Sequence, residues 1–469
     1  MPMNRLLSEA YELDPPASSN WPWLSAFRQQ AQQDFAAQGL PTTRLETWKY
    51  TSVKALTETA FSIAPPPAKY ERAETQSPQN ELALSLPHYR LTFIAGHFHA
   101  GLSQLEPLPG NAKLIPLRQA LEQEHTQIQA HLGRIAQHHN HPFAALNSLW
   151  LEDGVLLYLP ADCQLDKPIH CLFYNPAGVK PQACYPRLLI VLEPGAQAQL
   201  IEEYLGASQQ EQENYASLQE QKNIAPQFTD SLTEIVLARG AQLQHCKLLR
   251  ENTQGHHIGG IHVKQAENSH FYSMSVSLGG GLCRNDIQVS LAGEGAQAQL
   301  DGLYILTGRQ HLDNHLRVDH LQPGCSSEVF YKGIINGRAR GVFNGMAIVH
   351  PGAQQSDARQ VNKNLMLSTK AEMDTKPELQ IEADDVKCSH GATVGQLDNE
   401  ALFYLCSRGL DQDTARALLT SAFAHDVLNR VPPGPLREQL TTLTSDALAA
   451  QLGGDLSVKS NSSIKRPSD

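Results

Sequence analysis

The sequence predicts a mainly β protein: a stacked β-solenoid core lies between an N-terminal, largely helical domain and a C-terminal helical segment. A short Gly-Ala-Gln phrase recurs, strand-like alternation fills the middle of the chain, and helical periodicity is confined to its flanks. A large β-sandwich fits the strands too, but the recurring corners favour a solenoid, whose rungs bury a continuous core by stacking. The expected boundaries are 1–150, 151–395 for the core, 396–455 for the helical segment and 456–469 for a disordered tail.

The N-terminal 150 residues carry two helical patterns. Apolar side chains recur at helical spacing from Trp23 to Gly39, and a second such pattern runs from Leu117 to Ala136. Between and around them the periodicity is irregular. We therefore expect a mixed but largely helical domain.

The core is marked by the recurring phrase, which begins at Gly195, Gly240, Gly295 and Gly352, with starts 45, 55 and 57 residues apart. Each copy places glycine at a turn and then alternates small or apolar with polar side chains, as a half-buried strand does. Similar units at a loose period indicate stacking. The Gln- and Glu-rich stretch from Ser208 to Lys222 interrupts the pattern and is predicted to be a polar loop.

Three helices are predicted after the core. Asp398 caps the first, which stops at Gly409; the second ends before Pro432, and the third runs from Leu436 to Leu452. The apolar stripe of the second helix either packs on the β-solenoid or serves a partner protein, and the sequence leaves both open. Its members are Leu418, Leu419, Ala422, Phe423 and Val427.

The composition of the chain disfavours some classes of partner and indicates where the protein is located. The chain has 37 Lys and Arg against 48 Asp and Glu, a formal charge of -11, without a dense basic patch, which disfavours nucleic acid or an anionic membrane as the main partner. The N-terminus lacks a signal-peptide layout and no apolar run is long enough to span a bilayer, so we expect a cytoplasmic protein. Eight scattered cysteines form no Cys-x-x-Cys pair, so most are expected to be reduced and buried.

Cys388 and His390 are the main chemical clue. In an extended strand these two side chains share one face while Ser389 points away, so a thiol and an imidazole lie side by side. Such a pair suits zinc or iron chemistry but supplies only part of a metal site. The alternative is a buried, purely structural pair, because free cysteine often serves as a small hydrophobe.

The region around this pair resembles a known family. The stretch from Ala383 to Gly395, with Lys376-Pro377-Glu378-Leu379 before it and Ser407-Arg408-Gly409 after it, looks like the SufB/SufD family of iron–sulfur cluster assembly scaffolds. The Ser389-His390-Gly391-Ala392-Thr393 run resembles the SufD-type members. Further matches are Leu402 to Leu405, Glu46 to Thr51, Leu278 to Gly281, Arg284-Asn285-Asp286, Asp313-Asn314-His315, Gly341 to Gly345 and Asn362 to Leu365.

The resemblance implies a right-handed parallel β-helix and the role of a subunit, not of a free enzyme. A SufD-type chain pairs with a SufB-like subunit through the β-helices, while its C-terminal helices dock a SufC-like ATPase. A transient iron–sulfur cluster forms at the shared interface, where His390 is the implied ligand and Cys388 a weaker candidate. Cys406 stands where the family more often has a basic residue. The sequence leaves the oligomeric state of the isolated chain open, with a homodimer as one of the alternatives.

The sequence also leaves two alternative functions open. A purely structural subunit would hold its partners without contacting the cluster. A β-helix enzyme acting on polysaccharide would use Asp384 and Asp385, but adjacent carboxylates on a strand face opposite ways. The chain also has no phosphate-binding loop, so we expect no nucleotide site of its own.

The remaining histidine groups are assigned no ligand role. The group of His311, His315 and His320 is interpreted as polar residues of the rungs. The adjacent pairs His256-His257 and His138-His139 are predicted to be solvated loop residues.

Overall fold

A computed structural model describes residues 22–64, 87–123, 126–138, 141–178, 180–208, 212 and 224–452. The predicted tail, and all but Ser208 and Gln212 of the predicted polar loop, lie outside the described residues. The elements before the core are α1 (Pro22–Gln38), α2 (Lys54–Glu58), β1 (Ser62–Ile63), β2 (Tyr89–Ile94), β3 (His97–Phe98), β4 (Lys113–Pro116), α3 (Leu117–Glu122), α4 (Thr126–His131) and α5 (Pro142–Leu149).

Strands then follow one another along the chain to residue 395. They are β5 (Gly154–Leu159), β6 (Ile169–Asn175), β7 (Gln182–Cys184), β8 (Arg187–Leu192), β9 (Gln197–Gly206), β10 (Gln227–Leu237), β11 (Gln242–Arg250), β12 (Gly255–Gln265), β13 (His270–Ser277), β14 (Leu282–Leu291), β15 (Gln297–Leu306), β16 (His311–His320), β17 (Ser326–Ile335), β18 (Arg340–Val349), β19 (Ser356–Met366), β20 (Glu372–Ile381) and β21 (Val386–Gly395). Three helices close the described chain: α6 (Asn399–Ser407), α7 (Gln412–Leu428) and α8 (Pro435–Leu452).

The strands alternate between two stacked parallel sheets. Sheet A has the order β20-β18-β16-β14-β12-β10-β8-β5-β4, and sheet B has the order β21-β19-β17-β15-β13-β11-β9-β6-β2-β3. From β8 onward successive strands therefore lie on opposite sheets, and each pair of strands makes one rung; β7 pairs with β1 and β10 beside the main path of sheet A. Inward-facing side chains of both sheets fill the lumen between them with a continuous apolar core. The predicted mainly β fold with a solenoid core and helical flanks is confirmed.

The recurring glycines form corners of the solenoid. Gly195, Gly240, Gly295 and Gly352 all have positive φ, between 66° and 84°, which glycine adopts without steric cost. The alanine after each glycine is fully buried, so the phrase turns the chain and anchors it in the core. The spacings of 55 and 57 residues each span two rungs, because the intervening corners use Asn268 and Gly324, also at positive φ.

The N-terminal region contributes strands as well as helices. β2 pairs parallel with β6, and β4 pairs antiparallel with β5, so both sheets begin with strands that precede residue 150. The helix predicted from Trp23 is α1, and the second helical pattern forms the short helices α3 and α4. These elements cover the first rungs.

The C-terminal helices pack against the outer face of sheet B. Ala424, Val427 and Leu428 of α7 join a buried cluster with outward residues of sheet B such as Leu248 and Ile334. The predicted cap is present, because the Asp398 side chain accepts a hydrogen bond from the Glu400 backbone N–H at 2.9 Å. Among the described helices, none has the length and apolarity needed to cross a membrane.

Candidate functional site: the open terminal rung

The solenoid ends in a rung that nothing in the described chain covers. We call β20 and β21 the terminal rung; each is the last strand of its sheet and is hydrogen-bonded on one side only. Most positions on β21 are exposed, and the apolar side chains Ile381 and Val394 are 45% and 50% exposed. An open strand edge with apolar side chains is a template for pairing with another chain, so this end is the candidate interaction surface.

Cys388 and His390 lie on this rung and face the lumen. In the β19–β21 ladder Cys388 pairs with Ala358 and His390 with Gln360, both of which are buried inward residues of β19. The predicted shared face is therefore the lumen face. Because no further rung follows within the described chain, that face opens to solvent: His390 is exposed and Cys388 is half-buried.

The two side chains differ as ligands. Burial raises the pKa of the Cys388 thiol, so the thiol is protonated at neutral pH and must lose a proton before it binds a metal. The imidazole of His390 is exposed to solvent and therefore accessible to a metal ion. His390 is therefore the stronger candidate ligand of the pair.

The described residues contain no group of three or more His, Cys, Asp or Glu side chains placed to hold a metal ion. The terminal rung offers one or two ligands, whereas an iron–sulfur cluster is held by about four. Any cluster at this rung needs further ligands from another molecule. Cys406 lies on α6, apart from the terminal rung, and the other cysteines are free thiols, most of them buried, as expected.

Beneath the terminal rung lies a layer of amide side chains, two of which belong to the stretch from Asn362 to Leu365. We call Gln360, Asn362 and Asn364 the amide layer; they are three consecutive inward residues of β19 and are at most 3% exposed. Asn362 Oδ1 accepts a hydrogen bond from Thr375 of β20 at 2.9 Å, and Asn364 Nδ2 donates to the Thr393 carbonyl of β21 at 3.3 Å. The layer thus holds both strands of the terminal rung. Its signal in the sequence is the alternation of polar residues at 360, 362 and 364.

Three other sequence motifs meet on the outer face of sheet A. The Arg284 guanidinium forms ion pairs with Asp286 at 2.7 Å and Asp313 at 2.6 Å, and it stacks 3.9 Å from the Trp48 ring centroid. Thr51 Oγ1 also donates to Asp313 at 2.6 Å. These contacts clamp the segment around Trp48 onto the solenoid, which is a structural role.

The structure agrees with one of the histidine predictions and contradicts another. His311 and His315 are polar residues on β16, as interpreted, and His311 Nε2 lies 2.9 Å from Thr51 Oγ1. The loop prediction for the 256–257 pair is wrong: both residues lie on β12, and His257 is fully buried beside Glu251 and Ser231.

The last histidine pair is only partly described. His138 lies outside helices and strands but is buried, 2.8 Å from Ser148 Oγ, so its predicted solvation is wrong; His139 lies outside the described residues. His138 and His257 are thus covered by the packing of other parts of the chain, although their local sequence is typical of a loop.

The helices α6 and α7 present a second surface. The apolar stripe predicted on α7 is split: Val427 is fully buried against sheet B, while Leu418 is 41% exposed. On α6, Phe403 and Tyr404 are 75% and 56% exposed. The stripe therefore both packs on the solenoid and leaves apolar surface in solvent, and we call Phe403, Tyr404 and Leu418 the helical patch.

Comparison with known proteins agrees with this architecture. Residues 174–423 match the family model described as "SUF system FeS cluster assembly, SufBD core domain", and residues 15–171 match "SufBD protein N-terminal region". An iron–sulfur cluster assembly SufBD family protein of Synechocystis is 33% identical over 89% of this chain and 90% of its own length. The iron–sulfur cluster assembly protein SufD of Escherichia coli is 30% identical over 88% of this chain and 90% of its own length. The chain therefore belongs to the SufBD family of the SUF system of iron–sulfur cluster assembly.

Proposed function

We propose that this chain is a SufD-type scaffold subunit that pairs with a SufB-like subunit through its terminal rung and contributes His390 to a nascent iron–sulfur cluster at the shared interface. The observation that carries the proposal is the position of His390: it lies on the lumen column of a rung that is open to solvent. A partner seated on this end would cover the strand edges and face the imidazole directly.

The incomplete ligand set supports a shared site. One exposed imidazole and one protonated, half-buried thiol cannot complete a cluster, so the partner supplies the remaining ligands. The transient cluster is then a product in assembly and not a resident cofactor. Membership of the SUF-system family argues against the alternative that the chain is an enzyme acting on polysaccharide. Asp384 and Asp385 were the candidate catalytic residues of that alternative.

The helical patch is the proposed docking surface for a SufC-like ATPase. Phe403 and Tyr404 on α6 and Leu418 on α7 are exposed apolar side chains; α7 is anchored to sheet B, and α6 packs against α7. Amphipathic helices commonly bind partners through such residues. The ATPase partner would provide the nucleotide site that this chain is expected to lack.

The test compares His390→Ala with Cys388→Ser in the complex co-expressed with SufB- and SufC-like partners. Because His390 is exposed, its loss should change the free energy of unfolding by less than about 0.5 kcal/mol and leave assembly intact. Cluster formation, measured by absorbance and by bound iron and sulfide, should fall by about tenfold or more, since the variant lacks a ligand. Cys388→Ser should have a smaller effect.

The same experiment distinguishes the structural alternative. If the His390→Ala complex assembles normally and forms clusters at the wild-type rate, His390 is not a ligand and the chain is a structural scaffold. If the variant loses stability or assembly to the same degree as cluster yield, His390 acts through packing.

A further inference from the structure

The open edge of β20 lacks a backbone donor at its centre. At the start of the strand, the Glu372 N–H donates to the Ala339 carbonyl, on the side of β18, at 3.0 Å. At its end, the Glu382 N–H donates to Val349 of β18 at 2.8 Å, and the register between the two strands is unbroken. Because neighbouring residues of a parallel strand direct their backbone groups to opposite sides, even-numbered residues bond to β18 and odd-numbered residues direct these groups to the open edge. Pro377 is odd-numbered and has no N–H, so the row of donors is interrupted there.

The open edge of β21 has no such interruption. The Asp357 N–H of β19 donates to the Cys325 carbonyl, on the side of β17, at 3.0 Å. The same alternation therefore bonds the even-numbered residues of β19 to the odd-numbered residues of β21, and the even-numbered residues of β21 face the open edge. The Thr393 carbonyl agrees with this direction, because it accepts a hydrogen bond from the Asn364 side chain of β19 at 3.3 Å. Since β21 contains no proline, its row of open-edge donors is complete.

The side chains beside these two edges differ as well. On the outer face of β20, the Lys376 ammonium lies between two carboxylates, 3.2 Å from Glu46 Oε1 and 3.1 Å from Glu378 Oε1. Beyond Lys387, the outer face of β21 carries small, uncharged residues: Ser389, Gly391, Thr393 and Gly395. Proline and charged side chains, lysine above all, protect an edge strand against pairing. By this criterion β20 is protected, whereas most of β21 is open to another strand.

We propose that β21 is the pairing edge of the terminal rung and that Pro377 excludes β20 from pairing, an inference that rests on the proposed function. The SufB-like partner adds one extended strand to β21, with hydrogen bonds to the backbone of Cys388, His390, Ala392 and Val394, and it covers β20 through side-chain contacts alone. Because the backbone of His390 belongs to this ladder, strand pairing fixes the place of its imidazole relative to the ligands on the partner.

Proline substitutions in the full-length chain test the two edges separately, with affinity for the SufB-like subunit measured by calorimetric titration. Ala392→Pro removes an open-edge donor from β21 and is compared with the native chain. Leu379→Pro removes one from β20 and is compared with Leu379→Ala, so that loss of the leucine side chain is matched. Affinity should fall by about tenfold or more in Ala392→Pro, because an acceptor on the partner is buried without a donor. Leu379→Pro should bind as tightly as Leu379→Ala.

Amide hydrogen exchange of the native chain gives a second measurement, which does not depend on the folding of any variant. Open-edge N–H groups of β21 become hydrogen-bonded when the partner strand is added, so their exchange should slow by about tenfold or more on binding. The open-edge amides of β20 should show a smaller change, because the partner covers them without bonding to them. The melting temperature of each proline variant is measured beside its affinity, and it should stay near that of its reference, since the lost N–H bonds to neither neighbouring strand.

The outcomes separate this inference from the proposed function. Weaker binding of Leu379→Pro than of Leu379→Ala would show that the partner pairs with β20, and it overturns the inference. Native affinity in Ala392→Pro, or unchanged exchange in β21 on binding, also overturns it. In each case the terminal rung remains the interface if the double variant Ile381→Lys, Val394→Lys abolishes association. If that variant associates normally, the proposed interface fails, and this inference fails with it.

Discussion

Within the lumen, Glu202 shows how a carboxylate is retained in an apolar core. It is fully buried and accepts hydrogen bonds from Tyr204 at 2.5 Å and Thr233 at 3.1 Å, with His245 Nε2 at 3.2 Å. Burial by itself would raise the pKa of this carboxyl, but the hydrogen bond with His245 and the charge of Lys247 outweigh it and lower the pKa to about 2. The ionised form therefore contributes to stability.

This residue gives a prediction of pH dependence. Because the folded pKa is depressed, the contribution of Glu202 is fully present above the unfolded value of 4.5 and is lost as the pH falls toward about 2. Glu202→Gln should cost on the order of 3 kcal/mol of unfolding free energy at pH 7, and the difference from wild type should shrink below about pH 4.5. Urea unfolding at several pH values measures this. A pH-independent difference would contradict the assignment.

Among the elements, α7 combines two roles on its two faces. Its inner face is anchored to sheet B by apolar contacts, and Asp426 pairs with Lys332 of that sheet at 2.6 Å. Just beyond the end of the helix, Arg430 pairs with Asp301 of the same sheet at 2.9 Å. Because this face covers apolar residues of sheet B, deletion of the whole helical segment would expose them, and point substitutions are the better probe of its outer face.

The helical patch is tested by the double variant Phe403→Ser, Leu418→Ser. Both side chains are exposed, so the melting temperature should stay near wild type while binding to the SufC-like ATPase weakens. Co-purification and calorimetric titration measure the binding. The matched control is Leu428→Ala, which is fully buried and should cost about 2–5 kcal/mol of stability. Unchanged ATPase binding in the double variant would exclude this surface.

For the whole molecule, the open end is the feature on which the proposed pairing with a SufB-like subunit rests. The double variant Ile381→Lys, Val394→Lys places two charges on the terminal rung, where both native side chains are about half exposed. The isolated chain should therefore fold with nearly unchanged stability, whereas association with the SufB-like partner should be lost, because the charges would be buried unpaired. Size-exclusion chromatography of the mixed subunits measures this; a normal complex would place the interface elsewhere.

The shared-site proposal also predicts the behaviour of the isolated chain. Anaerobic reconstitution with iron and sulfide should yield no long-lived chromophore, because the described chain offers too few ligands. Addition of the SufB-like partner should restore cluster formation. A stoichiometric, stable cluster on the chain alone would contradict the shared site.

Much of this molecule is determined locally by sequence. The corner glycines, the strand alternation and the helix caps act within a few residues, so the solenoid, the bounds of α6 to α8 and the common face of Cys388 and His390 are predicted from the pattern alone. Family membership follows from motifs that extend along nearly the whole chain. The cluster-ligand role of His390 and the domain boundaries stay predictions.

The tertiary structure alone decides what covers each residue. Alternation places His390 on the lumen face, but only the absence of a following rung in the described chain exposes it. Likewise, Val427 is buried and Leu418 exposed because one side of α7 meets sheet B, and His257 is buried by strands distant in sequence. Local periodicity determines which side chains share a face, whereas burial depends on contacts between residues far apart in the chain, and those contacts leave the last rung exposed.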